Sequence, residues 1–266
     1  GIALLKNNDQ SFLAFQLANK AIQKQFYWKN KDTKFIWRPF QVAFFLLNLE
    51  SISNEQSKDR NIFDLLWFPT GGGKTEAYLF LSAYLLFYSR LKKFSNTSSV
   101  QIMMRYTLRV LTIDQFTRIS ALISACEIIR KENEDKLGDD QISLGLWVGQ
   151  SQTENYFENI IDNPNHSRPL TKCPCCDNNL DYSEINVEKK EILIKCVNPN
   201  KECEIKISLA CLPVFFIDEL IYKSKPSFLI STIDKFAQIA RKDEALNLFS
   251  SESKVSLIIQ DELHLI

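Results

Sequence analysis

The sequence predicts an α/β fold built on a doubly wound parallel sheet. Short apolar runs that read as strands alternate with longer helical stretches. A glycine-rich turn joins one strand-like run to one long helix, and a single cysteine-bearing stretch interrupts the alternation before it resumes. Apolar residues make up 45% of the 266 residues and charged residues 24%, which excludes disordered and fibrous classes. Lys+Arg and Asp+Glu both number 32, so nucleic-acid binding would have to rest on local basic clusters and not on net charge.

The apolar runs, such as those over 42–47 and 77–88, fall short of the ~20 residues of a spanning helix, so no membrane association is expected. There is no leader-like start, and seven cysteines are an odd number for a disulfide framework; a reducing, cytoplasmic setting is the expectation. The chain begins at Gly1 and stops at Ile266 within an apolar run, as a piece of something longer would.

Residues 1–35 form a first helical segment, with Phe12, Phe15, Leu17, Ala18, Ile22 and Phe26 spaced to share one face. Residues 36–152 hold the first part of the α/β domain. An apolar helix follows Arg38-Pro39-Phe40-Gln41, and 61–68 reads as a short buried strand ending at Pro69. A helix then runs to about Lys93, 100–106 reads as a strand, 112–131 as a helix and 143–148 as a strand. From 153 to 208 the apolar rhythm gives way to Asn, Asp, Pro, Lys and five cysteines, which predicts a small inserted module. The rhythm resumes over 209–266, with strands at 227–231 and 255–260 around a helix at 233–242.

Phe68-Pro69-Thr70-Gly71-Gly72-Gly73-Lys74-Thr75 lies between a strand-like run and a helix, the setting of a phosphate loop. Bound triphosphate needs backbone N–H groups at close approach, which Gly71, Gly72 and Gly73 permit beside Thr70. Lys74 offers a point charge to the β- and γ-phosphates of ATP, and the Thr75 hydroxyl can ligate Mg²⁺. Phe68 stands where the common eight-residue pattern has its first glycine.

Such a loop works with carboxylates at a neighbouring strand end. The run 255–264 supplies Asp261 for the Mg²⁺ water shell and Glu262 as general base, with His264 placed to sense the γ-phosphate. A second Asp-Glu pair, Asp218-Glu219, follows a shorter apolar run and is expected to be a solvated turn before Tyr222.

Cys173-Pro174-Cys175-Cys176 and the pair Cys196 and Cys203 have the two-knuckle layout of a zinc ribbon, in which four thiolates close a tetrahedron around Zn²⁺. Cys173, Cys176, Cys196 and Cys203 are the expected ligands, with Cys175 able to replace either neighbour; Cys126 and Cys211 read as buried core thiols.

Together these motifs resemble those of superfamily 2 DExH-box helicases, whose phosphate loops often lack the first glycine. The chain is further similar to the helicase component of DISARM-type antiviral defence systems, through 15–21, 67–79, 106–116, 212–214, 231–237 and the closing Gln260-Asp261-Glu262-Leu263-His264. That resemblance implies a RecA-like P-loop NTPase domain carrying a zinc ribbon, in an ATP-dependent nucleic-acid motor of phage defence. It implies ATP, Mg²⁺ and Zn²⁺ as cofactors, and nucleic acid, DNA ahead of RNA, and other defence-system subunits as partners.

The resemblance also places Gln41 where such proteins read the adenine edge. Arg105, Thr107 and Arg109, with Thr232 and Lys235, fall where they touch the nucleic-acid backbone, a contact that positions without reading bases. It places a second RecA-like domain beyond Ile266, so this chain alone is expected to hydrolyse ATP poorly. Two rival readings are a zinc-ribbon nucleic-acid-binding or recruitment subunit on an inactive P-loop scaffold, and a restriction-type translocase. Lys74, Asp261 and Glu262 favour the motor.

Overall fold

The computed structural model describes residues 1–67, 72–92, 99–106, 113–149, 153–162, 168–200, 202–239, 241, 243–249 and 255–261. In chain order the elements are α1 (Ile2–Asn7), α2 (Asp9–Lys29), α3 (Pro39–Ser53), α4 (Lys74–Leu91), β1 (Ile102–Tyr106), α5 (Ile113–Glu132), α6 (Glu134–Leu137) and β2 (Leu144–Trp147). There follow α7 (Phe157–Asp162), β3 (Leu180–Asn186), β4 (Glu191–Cys196), α8 (Glu204–Leu209), β5 (Val214–Phe215), α9 (Asp218–Ser224), β6 (Phe228–Thr232), α10 (Ile233–Ile239), α11 (Asp243–Leu246) and β7 (Leu257–Gln260).

Five strands make one parallel sheet in the order β5-β2-β6-β1-β7. Ile102 of β1 pairs with Phe228 on one side and Leu257 on the other, so β1 and β6 are central. Their residues are apolar in succession because helices cover both faces, leaving no solvent side to demand alternation. On one face Ile102, Met104, Phe228 and Ile230 join the large core formed with α2, α4 and α5. On the other, Leu229 and Trp147 pack with Ile221, Ala245 and Leu248. The hairpin of β3 and β4 is a separate antiparallel sheet.

The helices around the glycine turn are set by local chemistry. Asn8 caps α2 by accepting from the Ser11 N–H at 2.8 Å. α3 opens with Pro39, whose missing N–H costs nothing in a first turn. α4 is buried on nearly every side, and Phe80 packs edge-on against Phe15 and Trp37 and tilted against Phe45, with ring centroids 4.2 to 5.5 Å away. Arg90 near its end is buried, and loss of solvent lowers its pKa to about 10, while the neighbouring buried pair Glu127 and Arg130 is closed at 2.8 Å.

Three expectations need correction. Residues 62–67 form no strand, and Phe63, Leu65 and Trp67 are exposed. An apolar run becomes a strand only with a ladder partner, and this one has none among the described residues. Phe12 is also exposed, so the packing face of α2 is Ala14, Leu17, Ala18, Ala21 and Ile22 with Phe15 partly buried. Cys211 is half-buried and not a core thiol, whereas Cys126 is fully enclosed.

Candidate functional site

The parallel strands direct their C-terminal ends toward one edge of the sheet, where ligands collect in open α/β folds. Gly73 stands there as N-cap of α4 with φ +86°, a left-handed conformation that favours glycine, and a Cβ would lie 2.8 Å from Gln41 Nε2. The start of α3 holds this turn. Arg38 Nη1 donates to the Gly72 carbonyl at 2.7 Å and Gln41 Nε2 to the Gly73 carbonyl at 2.7 Å. Gln41 Oε1 accepts from the Arg38 N–H at 2.8 Å, and the residue is buried. Gln41 therefore grips the loop backbone; its amide is directed to protein groups on both ends.

Lys74 and Thr75 form the first turn of α4 and are partly buried. Glu76, beside them, is ion-paired with Arg118 of α5. The Tyr78 hydroxyl, three residues along α4 from Thr75, donates to Asp261 Oδ2 at 2.9 Å. The Tyr106 hydroxyl donates to the same oxygen at 3.3 Å. Burial, followed by the charge of Asp261, raises the Tyr78 pKa; burial, followed by Tyr78 and Asp261, raises that of Tyr106. Both phenols stay protonated and can only stabilise the carboxylate as donors. The Thr75 hydroxyl and the Asp261 carboxylate are hard oxygen donors of the kind that suits Mg²⁺. Thr70, Gly71, Glu262 and His264 lie outside the described residues.

Of the expected backbone-contacting residues, Thr107 and Arg109 also lie outside the described residues. Arg105 sits at the end of β1 with its guanidinium 5.0 Å from the Phe236 ring centre. Thr232 and Lys235 are each only 2% exposed. Lys235 Nζ donates to Asp218 Oδ2 at 2.5 Å and to Asn155 Oδ1 at 3.3 Å, so as placed it meets a carboxylate and not solvent. The solvated turn expected at Asp218-Glu219 is likewise corrected: Asp218 begins α9 and is buried as the partner of Lys235. Burying a carboxylate is tolerated here because a cation is buried with it. Glu219 accepts from Lys190 at 2.5 Å and from the Phe157 N–H at 3.2 Å, tying the turn between β3 and β4 to α7 and α9. Its pKa is lowered chiefly by the Lys190 hydrogen bond.

The ligand atoms of Cys173, Cys176, Cys196 and Cys203 all lie within 4.8 Å of one another, and these residues could hold a metal ion. Sγ of Cys173 and Cys203 are 3.7 Å apart, those of Cys176 and Cys196 3.5 Å. Cys173 is held in a tight turn, its N–H donating to the Asn178 carbonyl at 2.7 Å and its carbonyl accepting from Asp177 at 2.9 Å. Cys175 is buried beside Cys203 but outside the foursome. Cys203 caps α8, and Glu204 next to it accepts from Lys24 at 2.6 Å and Trp28 at 3.2 Å, both on α2.

Across the whole of this chain, 36% of residues are identical to a protein of Bacillus paralicheniformis described as DISARM protein DrmA, over 339 aligned positions. The chain resembles DrmA. It spans about 30% of the length of that relative. No protein-family model matches the chain.

The two tyrosines of this candidate site were not legible in the sequence. Tyr78 lies inside an apolar helix and Tyr106 at the end of an apolar strand, where aromatic residues ordinarily read as core. A signal did exist: Thr75 and Tyr78 are three apart on a helix and so share a face. Among the described residues, no helix is long and apolar enough to cross a membrane.

Proposed function

We propose that this chain is the ATP-binding portion of a superfamily 2 helicase-type motor, its first RecA-like domain interrupted by a zinc ribbon, working in the cytoplasm with other DISARM subunits against phage. The observation that carries the reading is the hydrogen bond from Tyr78 to Asp261, which joins the helix that follows the glycine turn to the carboxylate at the end of β7, the two parts that a phosphate-loop ATPase requires. The likeness to DrmA over the whole chain supports the defence setting. On this reading 36–152 and 209–266 are one domain, 1–35 a helical extension and 153–208 the inserted module.

Gly72, Gly73 and Lys74, with Thr70 and Gly71 before them, cradle the triphosphate of ATP, and Arg38 and Gln41 keep the glycine turn in register. Thr75 and Asp261 would hold Mg²⁺, which supplies charge neutralisation between the β- and γ-phosphates. Glu262 takes the proton of the attacking water and His264 reports the γ-phosphate state. Nucleic acid, DNA ahead of RNA, crosses the strand ends near Arg105, Thr107 and Arg109, with contacts to phosphate and not to bases, while Thr232 lies buried beneath. Lys235, paired with Asp218, supports that surface from beneath. Cys173, Cys176, Cys196 and Cys203 hold a structural Zn²⁺.

The test is nucleic-acid-stimulated phosphate release by the full-length protein. Lys74→Ala is expected to abolish it, and Glu262→Gln to retain ATP binding without turnover. Wild-type turnover by Glu262→Gln would remove the general base from that position.

A further inference from the structure

We propose that Tyr78, assisted by Tyr106, is a positioning residue that presets the metal-holding carboxylate of Asp261 before nucleotide arrives. The inference rests on the nucleotide site proposed above. Phenylalanine would fill either position in the core equally well, since Tyr78 is 9% and Tyr106 0% exposed. Each phenolic O–H instead carries a desolvation cost, recovered only through a hydrogen bond. Both hydroxyls converge on one atom, Asp261 Oδ2, at 2.9 and 3.3 Å.

The direction of the hydrogen bonds follows from the donor inventory. Carboxylate oxygen can only accept, so Tyr78 spends its proton on Asp261. Tyr78 thus fixes the carboxylate plane of Asp261 from the helix that opens with Lys74 and Thr75. Its place in the second turn of α4 ties the carboxylate to the helix that the glycine turn opens. Tyr106, from the end of β1, fixes the same oxygen from the sheet side, so the carboxylate is held between helix and strand.

The experiment measures binding of N-methylanthraniloyl-ATP by fluorescence as Mg²⁺ is titrated, with a parallel arm in EDTA, for wild type, Tyr78→Phe, Tyr106→Phe and Asp261→Asn. Tyr78→Phe is expected to raise the Mg²⁺ concentration for half-maximal binding roughly tenfold, the weight of one hydrogen bond to a charged group. Tyr106→Phe, with the longer bond, gives a smaller rise, and affinity in EDTA stays at the wild-type value for both. In the Asp261→Asn background, Tyr78→Phe adds no further shift, which is the coupling that a merely structural hydroxyl would not show. An unchanged Mg²⁺ requirement in Tyr78→Phe overturns the role, as does equal loss of affinity with and without Mg²⁺. If Tyr78→Phe fails to fold, additivity of Tyr106→Phe with Asp261→Asn decides against the proposal and non-additivity for it. Absence of any Mg²⁺-dependent binding by the wild type would overturn the nucleotide site itself, and this role with it.

Discussion

Replacing Lys235 by methionine keeps most of the side-chain volume and removes one buried charge. Lys235 and Asp218 each retain 2% side-chain exposure and meet at 2.5 Å, and Tyr222 donates to the same carboxylate oxygen at 3.4 Å. Without its cation the carboxylate stays in a site that water reaches poorly, and losing one member of such a pair costs about 3–5 kcal/mol. For a chain of this size each kcal/mol moves the melting temperature by about 2–4 °C, so Lys235→Met is expected to melt roughly 6–20 °C below wild type. Adding Asp218→Leu removes the stranded charge and returns much of the loss, because an apolar pair of similar volume is often close to neutral. Urea denaturation of the single and double variants measures both effects. The reasoning fails if Lys235→Met unfolds within about 1 kcal/mol of wild type. Loss of nucleic-acid affinity with a shallower salt dependence in that stable variant would instead make Lys235 a direct phosphate contact.

Three other outcomes follow from the geometry. Elemental analysis of protein purified without chelator is expected to find about one zinc per chain; Cys196→Ser should lose it and Cys175→Ser should keep it, since Cys175 lies outside the set of four. Gly73→Ala meets both φ +86° and a contact 2.8 Å from Gln41 Nε2, so it should destabilise by about 1–2 kcal/mol and weaken nucleotide binding, read by calorimetry and fluorescence titration. Glu219, whose pKa is lowered from 4.5 chiefly by Lys190, stabilises the fold above its unfolded pKa and loses that contribution as pH falls through its folded value. Glu219→Gln should therefore flatten the acid limb of stability against pH, by less than about 1 kcal/mol because the pair is solvent-screened.

The parallel strands were legible because a strand covered on both faces needs no polar alternation, and Phe228-Leu229-Ile230 displays this directly. Lys74 and Asp261 could be nominated from the sequence because phosphate and metal chemistry leaves little freedom in residue type. The run around Phe63 and Trp67 misled because apolar composition carries no information about a ladder partner. Asp218 and Lys235 are seventeen positions apart and meet only through the packing of α9 against the sheet; each alone reads as an ordinary surface charge. Cys175 and Cys176 are adjacent and chemically identical, so spacing left both open as ligands. Their separation depends on the turn that follows Cys173, a three-dimensional property.

The contact between Glu204 and α2 would couple a metal held by the four thiols to the stability of the whole chain. Glu204 follows directly on Cys203 and receives Lys24 and Trp28, so the four-thiol turn and α2 share one anchor. A metal that binds the folded thiols and not the unfolded chain adds a stabilisation that grows with the logarithm of its free concentration. Each tenfold rise above the dissociation constant then deepens the folded state by about 1.4 kcal/mol. Trp28 stands at the junction of the thiol site and α2 as an intrinsic fluorophore through which such a change can be followed.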